Sequence, residues 1–338
     1  MKYINNMKEK VYHIKMLTMA GIAICLMVSC SNDDDDDDLG NWVNNRSVFD
    51  GSPRSSCAYF TIGNVGYTGV GYDGEEYLTS FWSYDMDGDY WSQKADFPGT
   101  ARNAATGFAV DGKGYIGSGY DGLDELSDFY SYDPSNNTWT EIAPFPSSPR
   151  RSAVGFGING FGYFGTGFDG DNDRKDFWKY NPNNDTWTEL VGFGGDKRRE
   201  ATTFTIGDIV YMGTGISNGS YKIDFWAFDP ATETWTQKLD LDEEDDYSIV
   251  RSNALGFTIN DYGYIACGSS GGTLQSVWEY DPKTDTWESK TSFERTSRQD
   301  AVVFSNNTRA LIGLGRSGSL YLDDIEEFFP NDEYEDED

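Results

Sequence analysis

The sequence predicts an all-β fold in which one four-stranded unit is repeated six times. Six tryptophans stand 48 to 52 residues apart, and four more each stand nine residues before a member of that series. A period near 50 residues, with abundant Gly and aromatic residues, is typical of a closed array of small antiparallel sheets. The first series is Trp42, Trp91, Trp139, Trp187, Trp235 and Trp287, and the second is Trp82, Trp178, Trp226 and Trp278.

Each unit contains four short strand-like runs separated by turn residues. In the third unit, strand a follows Arg151, strand b holds Tyr163, strand c starts at Phe177, and strand d holds Trp187. The runs are apolar on both faces, which suits sheets packed between two neighbours. Pro182, five residues before the strand d Trp, fixes φ in the turn between strands c and d.

This pattern resembles the kelch repeat over about residues 41–330. The matching features are the Gly-rich end of strand b, the Tyr-Asp-Pro turn and the Trp five residues later. The kelch double glycine takes the form G-x-G here, as at Gly165 and Gly167. The resemblance implies a six-bladed kelch-type β-propeller.

The last unit predicts how the ring closes. It begins at Arg298 and has Glu335 where the strand d Trp should stand. The segment Gly40–Val43 holds Trp42 and precedes Arg54 by the usual interval. We therefore expect the N-terminal strand to complete the last blade and remove the open sheet edges.

The N-terminus is typical of an export signal. Four lysines precede the apolar run 16–28, which is too short to span a bilayer comfortably. The run ends in Met27-Val28-Ser29-Cys30, which resembles the lipobox of bacterial lipoproteins and implies cleavage before Cys30 and lipidation of that residue. An ordinary secreted protein cut nearby is the alternative.

Six aspartates, Asp33 to Asp38, follow the cysteine. Such a run is similar to the export signal of surface lipoproteins in some Gram-negative lineages, and it would also serve as a solvated tether. We expect an outer-membrane lipoprotein exposed at the cell surface. The predicted organisation is a signal peptide (1–29), an acidic flexible tether (30–39), the propeller (40–330) and an acidic disordered tail (331–338).

Charge and histidine content exclude several functions. The formal charge is −31, and losing residues 1–29 removes four lysines and one glutamate and makes it −34. Such a chain repels nucleic acid and anionic lipid, so we expect no nucleic-acid partner and contact with the membrane only through the lipid anchor. We also expect a monomer. The only histidine, His13, leaves with the signal peptide. This excludes Ser-His and Cys-His catalysis and the copper oxidases that use kelch propellers.

No cofactor or metal site is predicted. The run Asp169–Asp173 imitates the start of an EF-hand loop, but Arg174 and Tyr180 occupy the positions that require Gly and Glu. A calcium site of looser geometry in that loop is the alternative. Cys57 and Cys267 lie in non-adjacent units, which predicts two buried free thiols.

Arginine recurs at the start of each predicted strand a, where six guanidinium groups would surround one mouth of the channel. In kelch domains that bind acidic peptides, arginines at this position contact ligand carboxylates. The alternative is that they belong to the framework of the repeat and bond loop carbonyls or a neighbouring Asp. The candidates are Arg54, Arg102, Arg151, Arg199, Arg251 and Arg298.

The loops between strands b and c are not equivalent. Blades one to three carry an aromatic-Asp-Gly motif, beginning at Tyr72, Tyr120 and Phe168, whose rings could stack on a sugar. Blades four to six lack the motif. The d–a loop of blade four has an acidic insertion within residues 240–246, and an insertion on one face of a repeat array often marks the binding face. A purely solubilising role is the alternative for this loop.

We favour a binding module that holds an acidic glycan or a protein partner on the arginine-lined face. The alternative is an enzyme, because some bacterial six-bladed kelch propellers are mutarotases acting on sialic acid. Glu200, beside Arg199, and Asp300, after Arg298, are then the acid–base candidates. A third possibility is a structural subunit that uses the blade rims.

Overall fold

A computed structural model describes residues 39–44, 46–243 and 247–335. The predicted signal peptide, Cys30 and the aspartate run lie outside these residues, as do 336–338. The described residues form strands and turns, and no helix among them has the length and apolar character to cross a membrane.

Six four-stranded antiparallel sheets make up the fold. In chain order the strands are β1 (Asn41–Val43), β2 (Ala58–Ile62), β3 (Val65–Gly69), β4 (Phe81–Asp85), β5 (Tyr90–Gln93), β6 (Thr106–Val110), β7 (Lys113–Gly117), β8 (Phe129–Asp133), β9 (Thr138–Ile142), β10 (Val154–Ile158), β11 (Phe161–Gly165), β12 (Phe177–Asn181), β13 (Thr186–Glu189), β14 (Thr202–Ile206), β15 (Ile209–Gly213), β16 (Ile216–Ser217), β17 (Ser220–Tyr221), β18 (Trp226–Asp229), β19 (Thr234–Gln237), β20 (Asp242–Glu243), β21 (Tyr247–Ser248), β22 (Leu255–Ile259), β23 (Tyr262–Ala266), β24 (Val277–Asp281), β25 (Thr286–Lys290), β26 (Val302–Ser305), β27 (Ala310–Gly313), β28 (Arg316–Ser317), β29 (Leu320–Tyr321) and β30 (Ile325–Phe329).

Blades one to five contain β2–β5, β6–β9, β10–β13, β14-β15-β18-β19 and β22–β25, and blade six contains β26, β27, β30 and β1. Three further two-stranded hairpins, β16–β17, β20–β21 and β28–β29, lie in the connecting loops. This is the six-bladed all-β arrangement that the sequence predicts.

The N-terminal strand closes the last blade, as predicted. β1 pairs with β30 with Trp42 opposite Phe328. The Trp42 ring is fully buried, stacks on Phe328 at 4.5 Å between ring centroids and meets the edge of Phe293 at 4.8 Å. Two ends of the chain far apart in sequence are thereby held in one sheet.

A closed circle of backbone hydrogen bonds joins the six blades. The first strand of each blade contacts the first strand of the next, and the last of them, β26, contacts β2. Just before each of these strands, one residue donates its N–H to the carbonyl of the equivalent residue in the preceding blade, over 2.9 to 3.4 Å. All six have φ between +49° and +59°. We call them the inner ring: Ser56, Ala104, Ser152, Glu200, Asn253 and Asp300.

Aromatic rings fill the space between blades. In blades one to five, the Phe of the first strand stacks on the Tyr of the second at 5.1 to 5.4 Å. A Cβ atom on Gly114 would lie 1.9 Å from Cζ of Phe60 in the preceding blade. This close approach requires glycine, as expected for the second strand. Cys57 and Cys267 are buried free thiols, as the sequence predicts.

The acidic insertion of blade four is a small hairpin on a buried base. β20 pairs with β21, and the side chains of Asp242 and Glu243 are exposed. Leu241 and Ile249, on either side of the hairpin, are fully buried. The insertion is therefore attached to the core by two aliphatic side chains, while residues 244–246 lie outside the described part of the chain.

Candidate functional site

One buried arginine in each blade ties three strand ends together. In blade three, Nε of Arg150 donates to the Ser148 carbonyl at 3.1 Å, and Nη1 donates to the Thr166 carbonyl at 3.0 Å. Both terminal nitrogens also bond the Asp176 carboxylate, at 2.7 and 2.9 Å. The two bonds to carbonyls recur in every blade, whereas Arg54 and Arg251 bond a serine hydroxyl in place of the aspartate. We call these residues the framework arginines: Arg54, Arg102, Arg150, Arg198, Arg251 and Arg298.

The predicted arginine series needs a correction of position. Arg150 and Arg198 occupy the framework slots, and the predicted members Arg151 and Arg199 each stand one residue later. The other four predicted members have their guanidinium groups buried and bonded inside their own blades, away from the channel mouth. They are Arg54, Arg102, Arg251 and Arg298. Among the described residues, Arg151 and Arg316 line the channel mouth, and Arg199 stands beside it, with Nε 3.5 Å from Oε1 of the lining residue Glu200.

A cavity of about 430 Å³ opens at this mouth and receives residues from all six blades. The six inner-ring residues and the residue that follows each of them line this cavity. Tyr59 lines both this cavity and a second one of about 520 Å³ at the opposite end of the channel. We call the first one the mouth cavity.

Each guanidinium group at the mouth has a carboxylate partner. The three carboxylate side chains are at most 14% exposed, so the pairs are partly shielded from solvent. The pairs are Arg151 Nη1 with Glu125 Oε1 at 3.1 Å, Arg199 Nη1 with Asp173 Oδ1 at 2.9 Å, and Arg316 Nε with Asp300 Oδ2 at 3.0 Å.

Aromatic rings and guanidinium groups alternate along one half of the mouth. The Arg151 guanidinium lies 4.5 Å from the centre of the Tyr120 ring and 5.2 Å from that of Phe168, and Arg199 contacts Phe168 at 4.9 Å. Contacts between Tyr residues continue this row into blades one and six. We call it the aromatic arc: Tyr321, Tyr72, Tyr77, Tyr120 and Phe168.

Of the three predicted aromatic residues, Tyr120 lines the mouth cavity itself, and Tyr72 and Phe168 stand beside it on the arc.

The two acid–base candidates, Glu200 and Asp300, occupy equivalent inner-ring positions in blades four and six, and both line the mouth cavity. Asn253, between them on the ring, donates its Nδ2 to Glu200 Oε2 at 3.1 Å. Arg199 Nε lies 3.5 Å from Glu200 Oε1. Burial raises the pKa of Glu200, and the negative charge of Asp300 acts in the same direction. Each candidate thus faces the channel beside an arginine.

Sequence reasoning missed Asn103, Asn253 and Tyr77, which also line the mouth cavity. Oδ1 of Asn103 is buried and has no hydrogen-bond partner within the described part of the chain. Asn103 directly follows the framework residue Arg102, and Arg151 directly follows the framework residue Arg150. Assigning Arg150 to the framework position would therefore have identified Asn103 as the equivalent of Arg151 in blade two. Among the residues that the structure describes, no group of three or more His, Cys, Asp or Glu side chains could hold a metal ion.

Comparisons with known proteins agree with this architecture. A model of the Kelch motif matches residues 104–146. Among solved structures, the one titled "Structure of YjhT" superimposes with a TM-score of 0.71 at 17% identity, covering 83% of this chain and 95% of that one. No curated protein sequence matches the chain. The motif and the six blades show a kelch-type β-propeller.

Proposed function

We propose that this six-bladed kelch-type β-propeller is a binding module that holds a glycan in its mouth cavity. The observation that carries the proposal is the cavity of about 430 Å³, which combines paired charges, amides, hydroxyls and aromatic rings from six blades. Ligand sites of small molecules have volumes of roughly 300–1,000 Å³ and contain a few placed polar groups. A cavity of this volume can hold one or two sugar rings.

Sugars present apolar C–H faces and hydroxyl groups, and the cavity has a partner for each. Tyr77 and Tyr120 supply aromatic rings on one side, and Ser152, Asn103 and Asn253 supply polar groups. The inner ring locks the backbone beneath these side chains through blade-to-blade hydrogen bonds. Groups held in this way lose little conformational entropy on binding, which favours affinity.

A sugar mutarotase, including the sialic-acid type, is the second candidate. It is favoured by the position of Glu200, whose pKa burial raises, beside a second carboxyl group in the same cavity. Interconversion of anomers needs a base that removes the anomeric hydroxyl proton and an acid that protonates the ring oxygen as its bond to the anomeric carbon breaks. Glu200 keeps its proton to a higher pH than an exposed Glu does, so it would serve as the acid and Asp300 as the base.

We also propose that the module is anchored through Cys30 and displayed on the outer membrane. The apolar run, the lipobox-like segment and the aspartates that follow it support this proposal. Incorporation of labelled palmitate by wild type and by Cys30→Ser tests it, and equal labelling of both would reject lipidation at this residue.

The test of binding is a screen of the purified full chain on an array of neutral glycans, acidic glycans and acidic peptides at low and moderate salt. We expect a glycan to bind. Tyr120→Ala should lower its affinity by about tenfold or more, because the aromatic ring on which the sugar stacks is lost. Tyr90→Ala, an exposed Tyr in blade one outside the mouth cavity, is the matched control.

The same bound sugar distinguishes the two functions. Exchange between its anomers, followed by NMR, should be unchanged by the protein if binding is the function. Acceleration that is lost in Glu200→Gln while binding persists would establish the mutarotase. Retention of peptides alone, with no glycan, would reject both.

A further inference from the structure

The charged groups of the mouth cavity are paired with one another, and this limits the class of ligand. Building on the proposed glycan binding, we infer that the cavity accepts a neutral, hydroxyl-rich sugar ring in preference to the uronic acid of the same ring. This differs from the acidic ligand that the sequence predicts from a ring of six arginines.

The local charge does not favour an anion. Three guanidinium groups lie at the mouth, each within 3.1 Å of a carboxylate oxygen. A fourth carboxyl group, that of Glu200, lines the cavity as well. Acidic groups therefore match or outnumber basic ones at this site, and the rest of the chain is strongly acidic. These groups therefore carry no excess positive charge that would attract a carboxylate ligand.

A ligand carboxylate would have to compete for each arginine. To bind Arg151 it must share or displace Glu125, whose side chain is 14% exposed. To bind Arg316 it must do the same with Asp300, which is 11% exposed. A ligand carboxylate that displaces one of these side chains breaks one charge-assisted hydrogen bond to form another, so the exchange brings little net gain.

The environment of Glu200 adds a second cost. Burial and the nearby charge of Asp300 already raise the pKa of Glu200. Another negative charge in the same cavity would act in the same unfavourable direction, because like charges in a poorly solvated site repel one another. A neutral ring avoids this repulsion.

An unsatisfied acceptor points to a ligand that donates hydrogen bonds. Oδ1 of Asn103 is buried without a hydrogen-bond partner in the described chain, and Asn103 lines the cavity. Once the Asn103 side chain turns into the cavity, a ring hydroxyl of a sugar can donate to this oxygen, whereas a ligand without hydroxyls, such as a simple carboxylate, only accepts. The acceptor is already unpaired in the free protein, so a ligand that pairs it recovers about 1–3 kcal/mol.

The test compares matched pairs of sugars by calorimetry on the full chain. Every neutral pyranoside retained on the array is paired with the uronic acid in which its CH₂OH group is replaced by carboxylate. We expect the neutral member to bind at least about tenfold more tightly, as follows from one unfavourable charge contact in a partly buried site. The preference should shrink as salt rises, because part of the repulsion is screened.

Two variants separate the causes. Glu125→Gln releases Arg151 from its partner, so the uronic acid should gain severalfold while the neutral sugar changes little. Asn103→Ala should weaken the neutral sugar by about tenfold, which matches the cost of one lost hydrogen bond in a buried site. Asn183→Ala, an exposed residue in the c–d turn of blade three, is the control, and thermal melts confirm that each variant is folded.

The outcomes for the two proposals differ. Uronic acids that bind more tightly than their neutral partners, with the advantage lost in Arg151→Ala, would overturn the inference and leave glycan binding intact. An unchanged preference in Glu125→Gln would also count against it. Failure of every sugar, neutral or acidic, would reject the proposed function itself.

Discussion

Arg150 and Arg151 are neighbours in the chain, yet they belong to two different regions of the molecule. Arg150 is fully buried, and its guanidinium bonds two carbonyls and one carboxylate of its own blade. Arg151 is about one-third exposed and lies between two aromatic rings above the channel. The first region holds the blade together, and the second faces whatever enters the mouth.

The six repeats of this chain show the same division. The framework position is Arg in every blade, because each blade must join the same three strand ends. The next position varies from blade to blade. A repeat position with the same residue in every blade therefore has a structural role. A position whose residue varies belongs to the surface that can acquire a specific binding function. The varied residues are Ser55, Asn103, Arg151, Arg199, Ser252 and Gln299.

The largest expected effect is the difference in stability between two variants, Arg150→Ala and Arg151→Ala. Arg150→Ala should lower the free energy of unfolding by about 3–5 kcal/mol, because Asp176 and two carbonyls lose their buried partner. Arg151→Ala should lower it by less than about 1 kcal/mol, since a partly exposed pair contributes little. Urea denaturation of both variants measures the difference.

The two variants are each other's control, because they remove the same side chain at adjacent positions. Glycan affinity should show the opposite order. It should change in Arg151→Ala and stay the same in Arg150→Ala, measured under conditions in which that variant is folded. Equal destabilisation by both would mean that the two regions are not distinct.

Much of the framework could be predicted from the sequence because it repeats. The tryptophan period gave six blades, and the missing strand d of the last unit gave the closure by Trp42. The doublets Arg150-Arg151 and Arg198-Arg199 concealed the register of the arginine series. The interval from arginine to the strand d Trp is 37 residues in blades one to four when Arg150 and Arg198 are chosen, so the sequence did contain the answer.

The mouth could be predicted only in part, because it is built between blades. Arg151 of blade three pairs with Glu125 of blade two, and no interval within one repeat indicates such a contact. The unpaired acceptor of Asn103 likewise depends on how six chain segments converge. Glu200 and Asp300 were identified as candidates from their proximity to arginines, although their equivalence appears only once the framework series is corrected.

A second, smaller effect is expected from the buried carboxyl group of Glu326, which should make the free energy of unfolding depend on pH. Glu326 of β30 is almost fully buried, pairs with Arg295 at 2.5 Å, and has no hydrogen-bond partner for Oε2 in the described chain. Burial raises the pKa of Glu326 from 4.5 to about 7. The folded state therefore binds the proton more tightly than the unfolded state does.

The free energy of unfolding should thus fall as pH rises from about 4.5 to 7, with a contribution from Glu326 of about 2–3 kcal/mol that is complete above pH 7. Glu326→Gln should remove this part of the pH dependence and stabilise the protein at pH 8. The exposed Glu141→Gln is the control. A pH profile of Glu326→Gln parallel to that of wild type would show that the carboxyl group is ionised throughout.

The smallest expected effect comes from variation within the framework itself. Four framework arginines bond an aspartate 26 residues later, whereas Arg54 bonds the hydroxyl of Ser80 at the same interval, at 2.9 Å. Burial lowers the pKa of Arg54, and its guanidinium donates to carbonyl and hydroxyl oxygens of the described residues. Ser80→Asp would give blade one the pairing of blade two, where Arg102 bonds both oxygens of Asp128 at 2.6 and 2.7 Å.

We expect Ser80→Asp to raise the free energy of unfolding by about 1 kcal/mol, because a charge that is already buried gains a bidentate partner and only one new charge is desolvated. Asp128→Ser, the reverse change, should cost more, since it leaves Arg102 without its carboxylate. Neither change should alter glycan binding, because neither Ser80 nor Asp128 lines the mouth cavity. Destabilisation by Ser80→Asp would mean that desolvation of the new carboxylate exceeds its attraction to Arg54, and that the serine is there to keep this blade end uncharged.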